Sequence, residues 1–170
     1  MTLRSMALRL ALAAAATAAL AGCATSPPLA AGLSEAEVLQ RLGPPTGRYP
    51  MSEGATRLEY ATGPMGKMTW MVDVNAQGRV TAWFQALEES RLHAFMARAP
   101  GLAEADVLRT LGRPGEVRPA GLAGGTLWSW RYVTNDCLWF QATLDNGRVR
   151  DAGFGIDWIC DGMNDAKASS

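Results

Sequence analysis

The chain has 170 residues, with 16 basic and 16 acidic side chains, one histidine and a formal net charge of zero. A nucleic-acid binder would show a basic stripe and a membrane-surface binder a polybasic patch, so this balance argues against both. A single histidine also excludes a His-based metal site of the usual composition.

Residues 1–9 contain Arg4 and Arg9 with no acid, and residues 10–22 are apolar or small, which is the order of a secretory signal. The apolar run is too short for a permanent span, which needs about 20 residues. It ends in Leu20, Ala21, Gly22, Cys23, which resembles the lipobox of bacterial lipoproteins. That resemblance implies that residues 1–22 are removed and that Cys23 carries acyl chains, palmitate among them, so that the lipid bilayer is one partner. Each buried CH2 contributes about 0.8 kcal/mol and stable attachment needs more than one chain, a condition a triply acylated Cys23 meets. An ordinary signal peptide with a chance cysteine is the alternative. Ala24 follows rather than an acid, which in the enterobacterial sorting pattern points to the outer membrane, with the protein facing the periplasm. Residues 23–31 are small, polar or proline and read as a tether. Arg4 and Arg9 leave with the signal, so 14 basic and 16 acidic residues remain among 148.

Residues 32–45, GLSEAEVLQRLGPP, recur as residues 101–114, GLAEADVLRTLGRP, at an offset of 69. At the same offset Trp70 matches Trp139, and Gly78, Arg79, Val80 match Gly147, Arg148, Val149. The chain therefore reads as a duplicated supersecondary unit, residues 32–85 and 86–160, with residues 161–170 a fraying tail. Units this small are marginal alone and should share a core. In the first copy Ser34 and Glu37 spell a capping box and Leu33 with Val38 a hydrophobic staple. Val38, Leu39 and Leu42 form an apolar stripe, Gly43 supplies a left-handed stop and Pro44 bars continuation. The second copy has Ala103 in place of the capping hydroxyl, a difference of about 1 kcal/mol in cap energy.

Residues 43–54 hold three prolines and three glycines and read as loop. Residues 56–61 are a short strand. Residues 68–74 alternate, with Trp70, Val72 and Val74 on one side and Met71 and Asp73 on the other, and residues 79–84 return after Asn-Ala-Gln-Gly as a hairpin. Residues 86–99 place Leu87, Leu92, Phe95 and Met96 at helical spacing, with Glu88 and Glu89 early and Pro100 after the end. This is a leading helix that the first copy lacks. Trp128, Trp130 and Tyr132 share one strand face, residues 137–145 form the next strand, and Asn146-Gly147 turns the chain back into residues 148–158.

The order Gly-Leu, Val-Leu, Leu-Gly-x-Pro, then an aromatic strand, then a strand closing on Gly-Arg-Val resembles the SmpA/OmlA (BamE-like) family of small outer-membrane lipoproteins, over residues 32–84 and 87–157. In that family a helical pair packs on a three-stranded antiparallel sheet. The resemblance implies an α+β fold of two tandem units, each with one or two helices on a three-stranded antiparallel sheet. It also implies an accessory role in the machinery that inserts β-barrels, with barrel-assembly subunits as the envelope partners; no cofactor is expected from the residues. The best-known members carry one unit, whereas this chain carries two.

With Cys23 lipidated, Cys137 and Cys160 remain as a pair in a compartment where disulfides persist. With the turn at Asn146-Gly147, Cys137 faces Ile156, four residues short of Cys160; a bulge near Gly153 or Gly155 would close the gap. Such a bridge is worth about 3 kcal/mol, and two separate buried thiols are the alternative. No catalytic constellation is visible, so an enzyme is not expected. His93 reads as the rim of an amphipathic helix, Asp73 and Asp145 do not fall at matching repeat positions, and Glu88 and Glu89 read as first-turn charges. Gly121, Gly124 and Gly125 lack the Lys-Ser/Thr ending of a phosphate loop and read as a flexible connection. Trp70, Trp128, Trp130, Tyr132 and Trp139 form the candidate partner surface, since Trp and Tyr are enriched in binding hot spots; packing within or between the units is the competing fate. The expected function is that of a lipid-anchored periplasmic binding or scaffold protein contributing to outer-membrane assembly or envelope maintenance. The alternative is a lipidated inhibitor of a periplasmic hydrolase, similar to tandem-unit β-lactamase-inhibitor proteins, which requires both sheets contiguous and solvent-facing.

Overall fold

The computed structural model describes residues 26–63, 65–134 and 136–156. These residues form an α+β protein of two units, each carrying a four-stranded antiparallel sheet. The first unit comprises helix α1 (Glu35–Leu42) and strands β1 (Gly47–Pro50), β2 (Thr56–Ala61), β3 (Thr69–Val74) and β4 (Val80–Gln85). The second comprises α2 (Glu89–Met96), α3 (Glu104–Leu111), β5 (Glu116–Pro119), β6 (Thr126–Arg131), β7 (Leu138–Asp145) and β8 (Arg148–Ile156). Strand order follows the chain in both sheets.

Each sheet has one strand more than the three expected. The additions are β1, inside residues 43–54, which read as loop because of their prolines and glycines, and β5, for which no element was expected. Each is a four-residue edge strand paired only with its sequence neighbour, and each ends in proline, Pro50 or Pro119. An edge position tolerates proline because the missing N–H would face outward. The connection holding Gly121, Gly124 and Gly125 makes one 3-10 turn at Gly121–Ala123, as does Ser52–Gly54 in the first unit.

The duplication extends to individual hydrogen bonds. Gly32 N–H donates to the Val80 carbonyl (2.8 Å) and Gly101 N–H to that of Val149 (2.7 Å); Glu35 and Glu104 donate to Gly78 and Gly147, both at 2.9 Å. These bonds pin the start of each helix to the last hairpin of its own sheet. The capping box of α1 is formed, with Ser34 N–H donating to Glu37 Oε2 (2.8 Å) and Glu37 N–H to Ser34 Oγ (3.3 Å), whereas Ala103 offers no side-chain cap to α3. Gly43 and Gly112 end their helices at φ 79°, ψ −167° and φ 80°, ψ −171°. This is the extended positive-φ region open almost only to glycine, rather than the left-handed helical stop expected.

The offset of 69 does not hold throughout. β2 pairs Thr56 with Val74, and β6 pairs Thr126 with Leu144, so the central strands are offset by 70. The connection before β6 has six residues against five before β2, and the second hairpin recovers the difference, with four residues between Leu144 and Val149 against five between Val74 and Val80. The structural counterpart of Trp70 is therefore Phe140 and not Trp139, which corresponds to Thr69. Both sheets carry a bulge at the same place, at Thr81 and at Arg150. The second bulge lies beside the turn, not near Gly153 or Gly155, and it sets Leu138 against Ile156.

In the first unit Val38 of α1 packs on Leu58, Val72, Val74 and Val80. In the second, Leu92, Phe95, Val107 and Leu111 pack on Trp128, Trp130, Tyr132, Phe140, Leu144 and Val149.

Candidate functional site at the junction of the two units

β2 and β3 alternate by two, as strands must. One face turns Leu58, Tyr60, Trp70, Val72 and Val74 toward α1, and the other turns Arg57, Glu59, Thr69, Met71 and Asp73 away from it. The second face is covered too: Glu59 and Met71 are fully buried and Thr69 is 3% exposed. Part of the cover is the C-terminal end of α3.

The contact is built on two polar side chains of the first sheet, Glu59 and Arg57. Glu59 Oε1 accepts from Arg113 N–H (3.0 Å) and Oε2 accepts from the Tyr49 hydroxyl. Arg57 grips Asp73 with two guanidinium nitrogens (2.6 and 2.8 Å) and donates its third to the Arg109 carbonyl (2.9 Å). Gly112 brings the backbones close, since a Cβ there would lie 2.9 Å from Glu59 Oε1 and 2.9 Å from Thr69 Cγ2. Gly47 does the same under the Glu59 side chain, where a Cβ would lie 2.4 Å from Oε2. A buried carboxylate needs such partners because desolvation without them costs several kcal/mol. Burial, followed by the hydrogen bond to Glu59, pushes the Tyr49 phenol well above its usual range, with the nearby Arg113 opposing. In this arrangement the Tyr49 hydroxyl donates to Glu59.

Two spaces flank this junction. One, of about 230 Å3, is lined by Thr46, Glu59, Leu87, Arg113, Trp130 and Arg131 among others. The other, of about 440 Å3, runs between Arg57 and Phe84 of the first sheet and Arg91, Arg98 and Arg109 of α2, α3 and the segment joining them. Arg57 and Arg91 lie over the Phe84 ring, 4.9 and 4.4 Å from its centroid. Asp106 on α3 ion-pairs with Arg109, and that hydrogen bond holds its carboxyl below the usual range. Among the described residues no three His, Cys, Asp or Glu side chains are grouped as metal ligands, and no helix is long and apolar enough to cross a membrane. His93 is exposed on α2, 3.7 Å from Glu89 and with its ring 5.0 Å from that of Phe154.

The predicted surface residues are not gathered into one surface. Trp128, Trp130 and Tyr132 are buried under α2 and α3 as core, and Trp130 Nε1 donates to the Gly112 carbonyl (3.1 Å). Trp139 points to the other face of its sheet, where it is 2% exposed, with the Arg131 guanidinium 3.9 Å from its ring and its own Nε1 without a hydrogen bond. Trp70 alone is partly exposed. Cys137 is disulfide-bonded; Cys23 and Cys160 lie outside the described residues. Glu59, Tyr49 and Arg57, which join the units, escaped the sequence reading, and Gly112 was read only as the glycine that ends the repeated helix. The one available signal was a lone acid at the centre of an otherwise ordinary strand, TRLEYA.

No family model matches the chain, and no curated protein matches it. Among solved structures it is similar to a cysteine-rich secretory protein from Staphylococcus aureus subsp. aureus Mu50, at 11% identity and a TM-score of 0.29. That alignment covers 78% of this chain and 46% of the other, so this chain spans less than half the length of that protein.

Proposed function

We propose that the chain is a lipid-anchored periplasmic binding or scaffold protein that contributes to outer-membrane β-barrel assembly or envelope maintenance. Acylated Cys23 supplies residence at the membrane and the paired units supply a rigid recognition body. The observation that carries this reading is the junction itself: a fully buried Glu59 bonded to both units ties two small modules into one body. A buried carboxylate bonded across two modules serves to set their relative position, which a scaffold needs and a flexible linker would not provide. The resemblance of residues 32–84 and 87–157 to the SmpA/OmlA family points the same way. The inhibitor reading requires two open, contiguous sheet faces, and it draws no support from a first sheet whose outer face receives Arg109, Gly112 and Arg113.

The test is site-specific photo-crosslinking at Trp70 in native envelopes, with Cys23→Ser as the anchoring control. Crosslinks to barrel-assembly subunits that disappear with Cys23→Ser are the expected result. Capture of a soluble periplasmic hydrolase instead, or capture indifferent to the anchor, would overturn the reading.

A further inference from the structure

The second unit shows what its fold places on the helix-side face of the sheet. There α2 lies across β7 and β8: Phe95 meets Phe140 edge-on with centroids 5.9 Å apart, and Leu92 and Met96 pack in the same cluster. By strand register the counterparts of Leu138, Phe140 and Phe154 in the first unit are Met68, Trp70 and Gln85. The counterpart of α2 would fall at residues 20–27, with Cys23 in the place of Leu92 and Ser26 in the place of Phe95. Among the described residues no helix covers this end of the first sheet. A groove of about 420 Å3 stands there, lined by Met68, Trp70, Gln85, Leu87, Glu88 and Glu89, with Ser26 and Val133 at its margin.

We propose that this groove is the docking site for an amphipathic helix of a partner protein. That helix presents apolar residues at i, i+3 and i+4 to Met68 and Trp70, and basic residues to Glu88 and Glu89. The inference rests on the partner-binding reading above and names the kind of partner. The occupant's form comes from the sister unit, where Leu92, Phe95 and Met96 have that spacing, and helix-in-groove recognition uses the same anchors. Its charge comes from the rim, where the side chains of Glu88 and Glu89 are 55% and 63% exposed. A second copy of this chain is a poor occupant, because each described helix already buries its apolar side in its own unit, through Val38, through Leu92 and Phe95, or through Val107 and Leu111.

The probe is a fluorescein-labelled peptide of residues 86–99 carrying Glu88→Lys and Glu89→Lys, titrated by anisotropy into the mature chain with Cys23→Ser. Saturable micromolar binding is expected, weakened about tenfold or more by Trp70→Glu or Met68→Glu, as for loss of an anchor, in variants whose melting curves remain cooperative. Charge reversal at Glu88 and Glu89 of the protein should weaken it severalfold and remove its salt dependence. A control peptide with Leu92→Asp and Phe95→Asp should not bind. The proposal is overturned by absent or non-saturable binding, by equal binding to both groove variants, or by a dimer in sedimentation that Trp70→Glu dissolves. Crosslinking to an assembly subunit without peptide binding removes the helix inference and leaves the scaffold reading; peptide binding without such crosslinks does the reverse.

Discussion

In the first unit the space between helix and sheet is filled by Val38, Leu58, Val72, Val74 and Val80, while in the second it is filled by Trp128, Trp130, Tyr132, Phe95 and Phe140. The backbone frame is the same down to paired hydrogen bonds, and even the side-chain tie from the second strand to the glycine after the helix recurs. Tyr60 Oη donates to the Gly43 carbonyl at 3.3 Å, and its counterpart Trp130 Nε1 to that of Gly112 at 3.1 Å. Among the described residues the second sheet lies under two helices and the first under one. A sheet under two helices has a wider space to fill and takes aromatics; a sheet under one helix takes valines and leaves Tyr60, Trp70 and Trp83 partly exposed. One frame thus serves as a closed core in one copy and as an open face in the other.

The largest expected contrast is between the counterparts Trp130 and Tyr60. Trp130→Ala removes a side chain that is 1% exposed and should cost about 3–5 kcal/mol in chemical denaturation; Tyr60→Ala should cost less than half of that. Equal losses would mean that core size does not separate the units.

The next contrast sharpens the role of the junction. Gly43 and Gly112 share one backbone conformation, in which a side chain costs about 1–3 kcal/mol. A Cβ at Gly43 meets nothing within 4 Å, whereas at Gly112 it runs into Glu59 and Thr69. Gly112→Ala should therefore be worse than Gly43→Ala by roughly 1–3 kcal/mol, the cost of overpacking. The excess should vanish in a Glu59→Ala, Thr69→Ala background, and an excess that survives there would place the strain elsewhere.

The smallest contrast concerns the helix starts. Ser34→Ala should cost about 1 kcal/mol, and Ala103→Ser should gain up to that amount. The position three residues on follows the cap: Glu37 reaches back to Ser34, while its counterpart Asp106 pairs forward with Arg109. The Ser34 hydrogen bonds hold the Glu37 carboxyl below its usual range. A lowered folded value means that the contribution is complete above the ordinary carboxylate range and is lost as pH falls through the lowered one. The stability difference between the native chain and Ser34→Ala, measured by thermal unfolding, should thus be constant near neutrality and shrink in acid. A difference that stays constant or grows in acid would contradict the capping box.

The repeated motif can be read from the chain by comparing it with itself, and the capping box of α1, the missing cap of α3 and the Asn146-Gly147 turn because each is decided by residues within four or five positions of one another. The alternation of β3 and the aromatic face of β6 are equally local. By itself the sequence determines two helix-and-sheet units, their order, and which copy holds the aromatics. Tertiary structure decided the rest. The edge strands β1 and β5 exist only because β2 and β6 supply ladders for segments whose own composition favours loop. The one-residue shift that pairs Trp70 with Phe140 arises from two compensating loop lengths, invisible to a constant offset. Alternation tells that a strand has two faces, but not that both are covered, so the burial of Glu59 and its bond to Arg113, 54 positions away, follow only from how the second unit rests on the first.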